Sequence, residues 1–139
     1  MTRENDIDIL AKTIYGEADG ESTLGKKAVA SVIMNRQKRN TWFTGKDIAE
    51  TCQFCVSGSK FHQFSCWNSW DKSFKRIQKA TPEDLAECRD IAEKYIDGIY
   101  SDVVCGCCHY HTKNSSPKWS RGVKPDFIIG NHLFYRKVK

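Results

Sequence analysis

The chain has 139 residues and a net charge of +5, from 22 Lys and Arg against 17 Asp and Glu. That length suits one domain, spanning 1–139, with a core large enough to need no disulfide or metal staple. No apolar run approaches the ~20 residues that cross a bilayer as a helix, so stable membrane insertion is not expected. The first six residues, Met-Thr-Arg-Glu-Asn-Asp, lack the basic-then-apolar pattern of a secretory leader. Synthesis in the cytoplasm is therefore expected.

Charge is uneven. Residues 113–139 hold seven Lys or Arg and one acid, Asp126, whereas residues 82–102 hold seven acids and two bases. A basic end favours a polyanion: nucleic acid, anionic lipid, or a wall polymer carrying phosphate and carboxylate. There are seven cysteines, Cys52, Cys55, Cys66, Cys88, Cys105, Cys107 and Cys108. An odd number cannot pair completely within one chain, and in a reducing cytosol thiols stay free.

In chain order, the pattern predicts a first helix from residue 4 to residue 16 or 18. Ile7, Leu10, Ile14, Glu17 and Ala18 recur at spacings of three or four, one stripe of a 3.6-residue period. Four are apolar and one is a carboxylate. A glutamate on such a stripe finds a partner, sits at the mouth of a cleft, or costs several kcal/mol. Gly16 and Gly20 are expected to end the helix through left-handed backbone. Ser22 or Thr23 caps a second helix, about 24–38, with Gly25, Ala28, Val29, Val32, Ile33 and Arg36 as its stripe. A short helix is expected at 46–50, then a long ordered loop over 52–68, of the length that tends to be functional. Another helix is expected over 69–78. Thr81-Pro82-Glu83-Asp84 starts a further one, running to about 99 with Leu85, Cys88, Ile91, Ala92, Tyr95 and Ile99 inward. Residues 103–112 and 132–138 read as strands, joined by a Pro- and Gly-containing loop at 114–126. Helices first and a small sheet last make the fold class α+β.

Four chemistries compete for these residues. The first is cleavage of a glycan by a carboxyl group. Shielded by Ile14, Tyr15 and Ala18, Glu17 would hold a proton near neutral pH. A hydrolase needs a second carboxylate about 5–9 Å away, and only Asp19 and Glu21 are near in sequence. A transglycosylase needs one carboxyl, acting first as acid and then as base while the sugar's own 6-hydroxyl attacks. The acid-poor surroundings fit that scheme slightly better. Gln63, Phe64, Ser65, Trp67, Tyr110 and Trp119 supply the amides, hydroxyls and aromatic faces a sugar site uses. The second is zinc, from Cys52-x-x-Cys55 or from Cys105-x-Cys107-Cys108-His109-x-His111, although the latter lacks the usual knuckle spacing. Strand alternation would put Cys105, Cys107, His109 and His111 on one face. The third is a cysteine nucleophile, for which no activating context is visible. The fourth is a basic nucleic-acid module, which leaves the Glu17 stripe unexplained.

The residues also carry a family pattern. Ala11-Lys-Thr-Ile-Tyr-Gly-Glu-Ala-Asp-Gly-Glu21 and Gly25-x-x-Ala-Val-Ala-x-Val-Ile-x-Asn-Arg36 resemble the opening of the SleB/CwlJ-type cell wall hydrolases, which include spore cortex-lytic enzymes and phage relatives. Gln63-Phe-Ser-Cys66 resembles their mid-chain loop. Cys108-His-Tyr-His111, Pro117-Lys-Trp-Ser120 and Ile129-Gly-Asn-His-Leu-Phe-Tyr-Arg136 resemble their closing segments.

The resemblance implies a catalytic domain with a lysozyme-like helical half, a peptidoglycan glycan strand as substrate, and neither metal nor other cofactor. It places the catalytic acid/base on Glu17 and substrate-binding positions on Gln63, Phe64, Ser65, Tyr110, His111 and Trp119. It also implies a lytic transglycosylase or muramidase. A bare catalytic domain made in the cytoplasm looks like a phage endolysin, released to the wall by a holin. The expected partner is peptidoglycan, with no nucleic acid, and the expected state is a monomer. The alternatives carried forward are a zinc-dependent N-acetylmuramoyl-L-alanine amidase and a zinc-stabilised basic nucleic-acid-binding module. The cysteine-rich run Cys105-Gly-Cys-Cys108 departs from the family pattern.

Overall fold

The structure is a computed structural model that describes residues 2–56 and 58–138. Five helices precede a three-stranded sheet: α1 (Arg3–Ala18), α2 (Thr23–Arg39), α3 (Ile48–Cys52), α4 (Lys72–Lys79), α5 (Pro82–Ile96), β1 (His109–Thr112), β2 (Phe127–Ile129) and β3 (His132–Tyr135). Short 3-10 turns lie at Ser65–Trp67 and Lys118–Ser120. The α+β class and its small C-terminal sheet stand as the sequence predicts.

The helix starts follow from their caps. Ser22 Oγ accepts from Gly25 N at 3.1 Å. Thr81 and Asp84 form a reciprocal capping box ahead of Pro82. The ends are set by left-handed residues, Asn40 (φ 51°) after α2 and Gly98 (φ 75°) after α5. Because α5 stops at Ile96, Ile99 lies beyond it and is exposed rather than inward.

α1 is the central helix, packing against α2, α3, α4 and α5. Ile7, Leu10, Ala11, Ile14 and Ala18 bury against Val29, Ile33, Cys52, Phe64, Ile91 and Tyr95. Its end differs from the expectation. Gly16 is helical and Gly20 has no left-handed φ. What Gly16 provides is space, since a Cβ there would stand 2.6 Å from Cys66 Cβ and 2.7 Å from Ile77 Cδ1. The loop carrying Cys66 and helix α4 can press onto α1 only because that position has no side chain.

The described residues between α3 and α4 form a loop with one 3-10 turn. Its middle is pinned by an antiparallel bridge between Cys55 and His62. Trp67 Nε1 donates to the buried Thr13 Oγ1 at 2.9 Å and ties the loop to α1. The helix expected over 69–78 begins only at Lys72, where Asp71 caps it. The helix expected over 46–50 begins at Ile48, capped by Asp47.

The sheet is antiparallel with order β1-β3-β2, so β1 is an edge. Tyr110 pairs with Phe134, and Phe127 pairs with Phe134 from the other side. Ala28 and Val32 of α2 pack with Val104, Cys107 and Phe134 beneath it. Two sequence expectations change here. The strand expected from residue 103 starts at His109, because Cys105 (φ 47°) and Gly106 (φ 87°) turn the chain. The proposed Cys105/Cys107/His109/His111 face therefore does not form. Strand β2 also lies where no strand was expected.

Candidate active site

Glu17 is in the last turn of α1, half-buried at the floor of a cleft. Two donors hold its carboxyl. The backbone N–H of Cys66 donates to Oε2 at 3.1 Å, and the Tyr110 hydroxyl donates to Oε1. One donor comes from the loop that Gly16 admits, the other from the edge strand. Burial raises the Glu17 pKa above the usual carboxylate range, while the Tyr110 and Cys66 bonds pull against it. Burial, followed by the nearby Glu17 carboxyl, pushes the Tyr110 pKa well up, so the phenol keeps its proton and stays a donor.

Two cavities meet at Glu17. One, about 250 Å³, is lined by Arg36, Gln63, Phe64, Ser65, Tyr110 and His111, with Thr112 and Ser115 at its edge. The other, about 380 Å³, includes Asp19, Glu21, Arg76, Thr112, Asn131 and His132. Glu17 is the one carboxylate lining the first; Asp19 and Glu21 line the second. Glu21 is already engaged, accepting from Asn131 N at 3.0 Å and Asn131 Nδ2 at 3.1 Å.

The structure brings Gln63, Phe64, Ser65, Tyr110 and His111 together with Glu17 in one cavity wall. Their contributions differ from the sequence expectation. Phe64 is only 2% exposed, with the Arg36 guanidinium 5.0 Å from its ring centre and Tyr110 at 6.4 Å. It shapes the wall and has no free face for a sugar ring. Trp119 lines neither cavity. It packs against His109, His111 and Tyr135 at ring distances of 5.2–5.6 Å, behind His111. His111 Nε2 is 2.8 Å from the Tyr135 hydroxyl, which fixes the ring at the cleft edge.

The sequence places Arg36 on a helix stripe and at the end of a family-like block, without a site role. It is buried and lines the cavity; its Nε donates to Cys108 O at 2.7 Å and its Nη1 to Gln63 Oε1 at 3.4 Å. A cation ending an apolar stripe is the same signal that singled out Glu17. The Cys66 contribution is a backbone N–H, which residue type does not reveal.

The cysteines are unpaired. Cys52 is buried in the core with its thiol pKa pushed up to about 12 by desolvation. Cys105 is exposed on a turn, while Cys107 and Cys108 are buried. Among the described residues no three His, Cys, Asp or Glu side chains converge as a metal-ligand group.

The chain belongs to the cell wall hydrolase family, whose model matches residues 20–135, with Glu17 just ahead of that span. It is similar to the spore cortex-lytic enzyme of Halalkalibacterium halodurans, 49% identical over 39 residues covering 28% of this chain and 12% of that one. A Bacillus cereus spore cortex-lytic enzyme is 54% identical over 33 residues, 24% of this chain and 13% of its own length. The matches thus span about an eighth of those relatives. Among solved structures, the catalytic domain of the germination-specific lytic transglycosylase SleB from Bacillus anthracis superposes with a TM-score of 0.71 at 23% identity, covering 96% of both chains. That likeness is one of fold. The catalytic domain of the Bacillus cereus SleB protein gives 0.62 at 27% identity, covering 97% of this chain and 92% of that one.

Proposed function

We propose that the protein cleaves the glycan strand of peptidoglycan by lytic transglycosylation, with Glu17 as acid and then base. The observation that carries this is the Glu17 carboxyl, desolvated yet held by two donors where two cavities meet. A strand lying across both cavities would present its glycosidic oxygen to that carboxyl. Protonated Glu17 gives its proton to the leaving oxygen as the bond to C1 breaks and positive charge develops on the muramic acid ring. The carboxylate left behind then takes the proton from that sugar's 6-hydroxyl, whose oxygen closes on C1. The product is a 1,6-anhydro ring, no water is consumed, and Glu17 is again protonated.

The Cys66 N–H and Tyr110 hydroxyl stabilise the carboxylate between the two half-steps. The cavity that holds Gln63, Ser65 and Tyr110 contains no second carboxylate, which supports the one-acid scheme over hydrolysis. The support from relatives is that the Bacillus anthracis structure is that of a lytic transglycosylase domain, and that the similar proteins of Halalkalibacterium halodurans and Bacillus cereus are spore cortex-lytic enzymes. The seven unpaired thiols support synthesis in a reducing compartment, so the same proposal includes endolysin-type release to the wall.

Mass spectrometry of digested peptidoglycan tests this. Anhydro-muramic ends support the proposal. Reducing ends would assign a muramidase using Glu21 or Asp19, and fragments cut between sugar and peptide would assign an amidase.

A further inference from the structure

The segment from Cys108 to Asn114 borders three cavities in succession. Tyr110 to Thr112 face the 250 Å³ cavity, and Thr112 to Asn114 face the 380 Å³ cavity. Cys108 and His109 face a third, about 450 Å³, which the acid–base chemistry does not use. Its other walls include Arg39, Trp42, Phe43, Arg136 and Lys137.

This cavity is built for an anion. Among the described residues no carboxylate side chain lines it. Arg136 has Asp126 at 3.7 Å, but neither Arg39 nor Lys137 has a carboxylate partner among the described residues. His109 adds no positive charge: its pKa is pushed down to about 4 by burial and then by Arg36 and Arg39. Trp42 is 60% exposed yet fixed, with Phe43 at 5.2 Å and Phe54 at 6.4 Å between ring centres. A rigid indole beside unpaired cations suits a ligand with apolar carbons and a carboxylate. The volume falls in the range of small-ligand sites, and three cations, Arg39, Arg136 and Lys137, line it.

We propose that this cavity is a subsite for the carboxylate-bearing peptide stem of the peptidoglycan strand whose glycan occupies the Glu17 cleft. This rests on the glycan-cleaving function proposed above. The stem branches laterally from muramic acid, and the cavity lies on the same strand as the cleft, one residue from Tyr110. Arg39 and Lys137 hold the carboxylates, and Trp42 covers the aliphatic carbons.

Binding is read from the Trp42 indole N–H signal by NMR, assigned with Trp42→Phe. The probes are a disaccharide carrying a stem peptide with free carboxylates, the same molecule with those carboxylates amidated, and poly(glycerol phosphate). The free-carboxylate probe should shift the Trp42 signal. Its affinity should fall about tenfold on amidation, and about tenfold in the double variant Arg39→Gln/Lys137→Gln, the loss expected for a charge-assisted contact. Both residues are exposed, so the variant should melt with wild type. In cleavage, the ratio of kcat/KM on stem-bearing over stem-free strands should drop by a similar factor. An unshifted Trp42 signal, equal binding of the amidated probe, or tighter binding of poly(glycerol phosphate) overturns the subsite. Wild-type protein that cleaves neither strand overturns the glycan-cleaving function instead, while the binding data still decide the subsite.

Discussion

Replacing Glu17 by Gln should stabilise the protein at neutral pH while removing its activity. Taking a carboxylate out of water costs several kcal/mol even after relaxation. The Cys66 N–H and the Tyr110 hydroxyl return part of that, at about 1.5–3 kcal/mol for each bond to a charged acceptor. The raised pKa says that desolvation still wins, which leaves a net penalty on the ionised form. Gln keeps both contacts without the charge: its carbonyl accepts from Cys66 N–H and its amide donates to the Tyr110 oxygen. Because the folded protein holds this proton more tightly than the unfolded chain, the penalty is absent below the unfolded carboxylate pKa. It grows as pH rises and is complete above the folded pKa. Scanning calorimetry from pH 3.5 to 8 should therefore show Glu17→Gln melting above wild type at pH 8. The gap should close at the acid end. Turnover should fall by about 10²–10⁴-fold, the usual contribution of a general acid. A gap that does not change with pH, or a variant less stable at pH 8, would refute the account of a strained carboxyl.

The neighbours of Glu17 give further tests. Tyr110→Phe removes a donor that favours the carboxylate, so the alkaline limb of kcat/KM should move to higher pH and the optimum rate should fall about tenfold; a limb that stays in place counts against the contact. Gly16→Ala should cost about 1–3 kcal/mol by overpacking against Cys66 and Ile77, more than its helix-propensity gain of about 1 kcal/mol. A higher melting temperature would contradict the close packing. Trp67→Phe should cost about 1–2 kcal/mol in urea unfolding, since it breaks the buried bond to Thr13 that ties the Cys66 loop to α1. Lysis of whole walls should weaken with added salt if the basic residues 113–139 hold the enzyme on an anionic polymer, and a salt-independent rate would remove that role.

The helices were legible because their signals are local. Ser22, the Thr81-Pro82 start and the apolar stripes of α1, α2 and α5 each fix an element within a few residues. The sheet was less so. Residues 103–108 have strand-like composition, but Cys105 adopts a left-handed φ that only the following glycine hints at. Strand β2 is three residues long and apolar throughout, so it lacks the apolar–polar alternation of a half-buried strand, although Phe127 and Ile129 pack on the core and Ile128 is 59% exposed. The site divides the same way. Glu17 was visible as a misplaced charge, but Tyr110 reaches it from 93 residues away, and only sheet closure decides that it does. Phe64 and Trp119 looked like sugar platforms because residue type does not tell a core ring from a cleft ring. Phe64 is enclosed by Arg36 and Tyr110, and Trp119 by two histidines and Tyr135.

The opposing influences on Glu17 also bear on which mechanism the fold favours. A single carboxyl that acts as acid and then as base has to change protonation state twice in each turnover, so its pKa must lie near the working pH. Burial beneath the Cys66 loop raises it, and the Cys66 N–H and Tyr110 hydroxyl restrain the rise. Without those donors the carboxylate would be too costly to form after the first proton transfer. In a fully open cleft it would be ionised before that transfer. An inverting two-carboxylate hydrolase avoids this compromise by giving the acid and base roles to separate groups in separate environments. Here Asp19 and Glu21 stand only in the adjoining cavity, with Glu21 bound to Asn131, while both donors converge on Glu17. That convergence suits the one-carboxylate cycle proposed above, in which a single group is ionised in mid-cycle and must take a proton back.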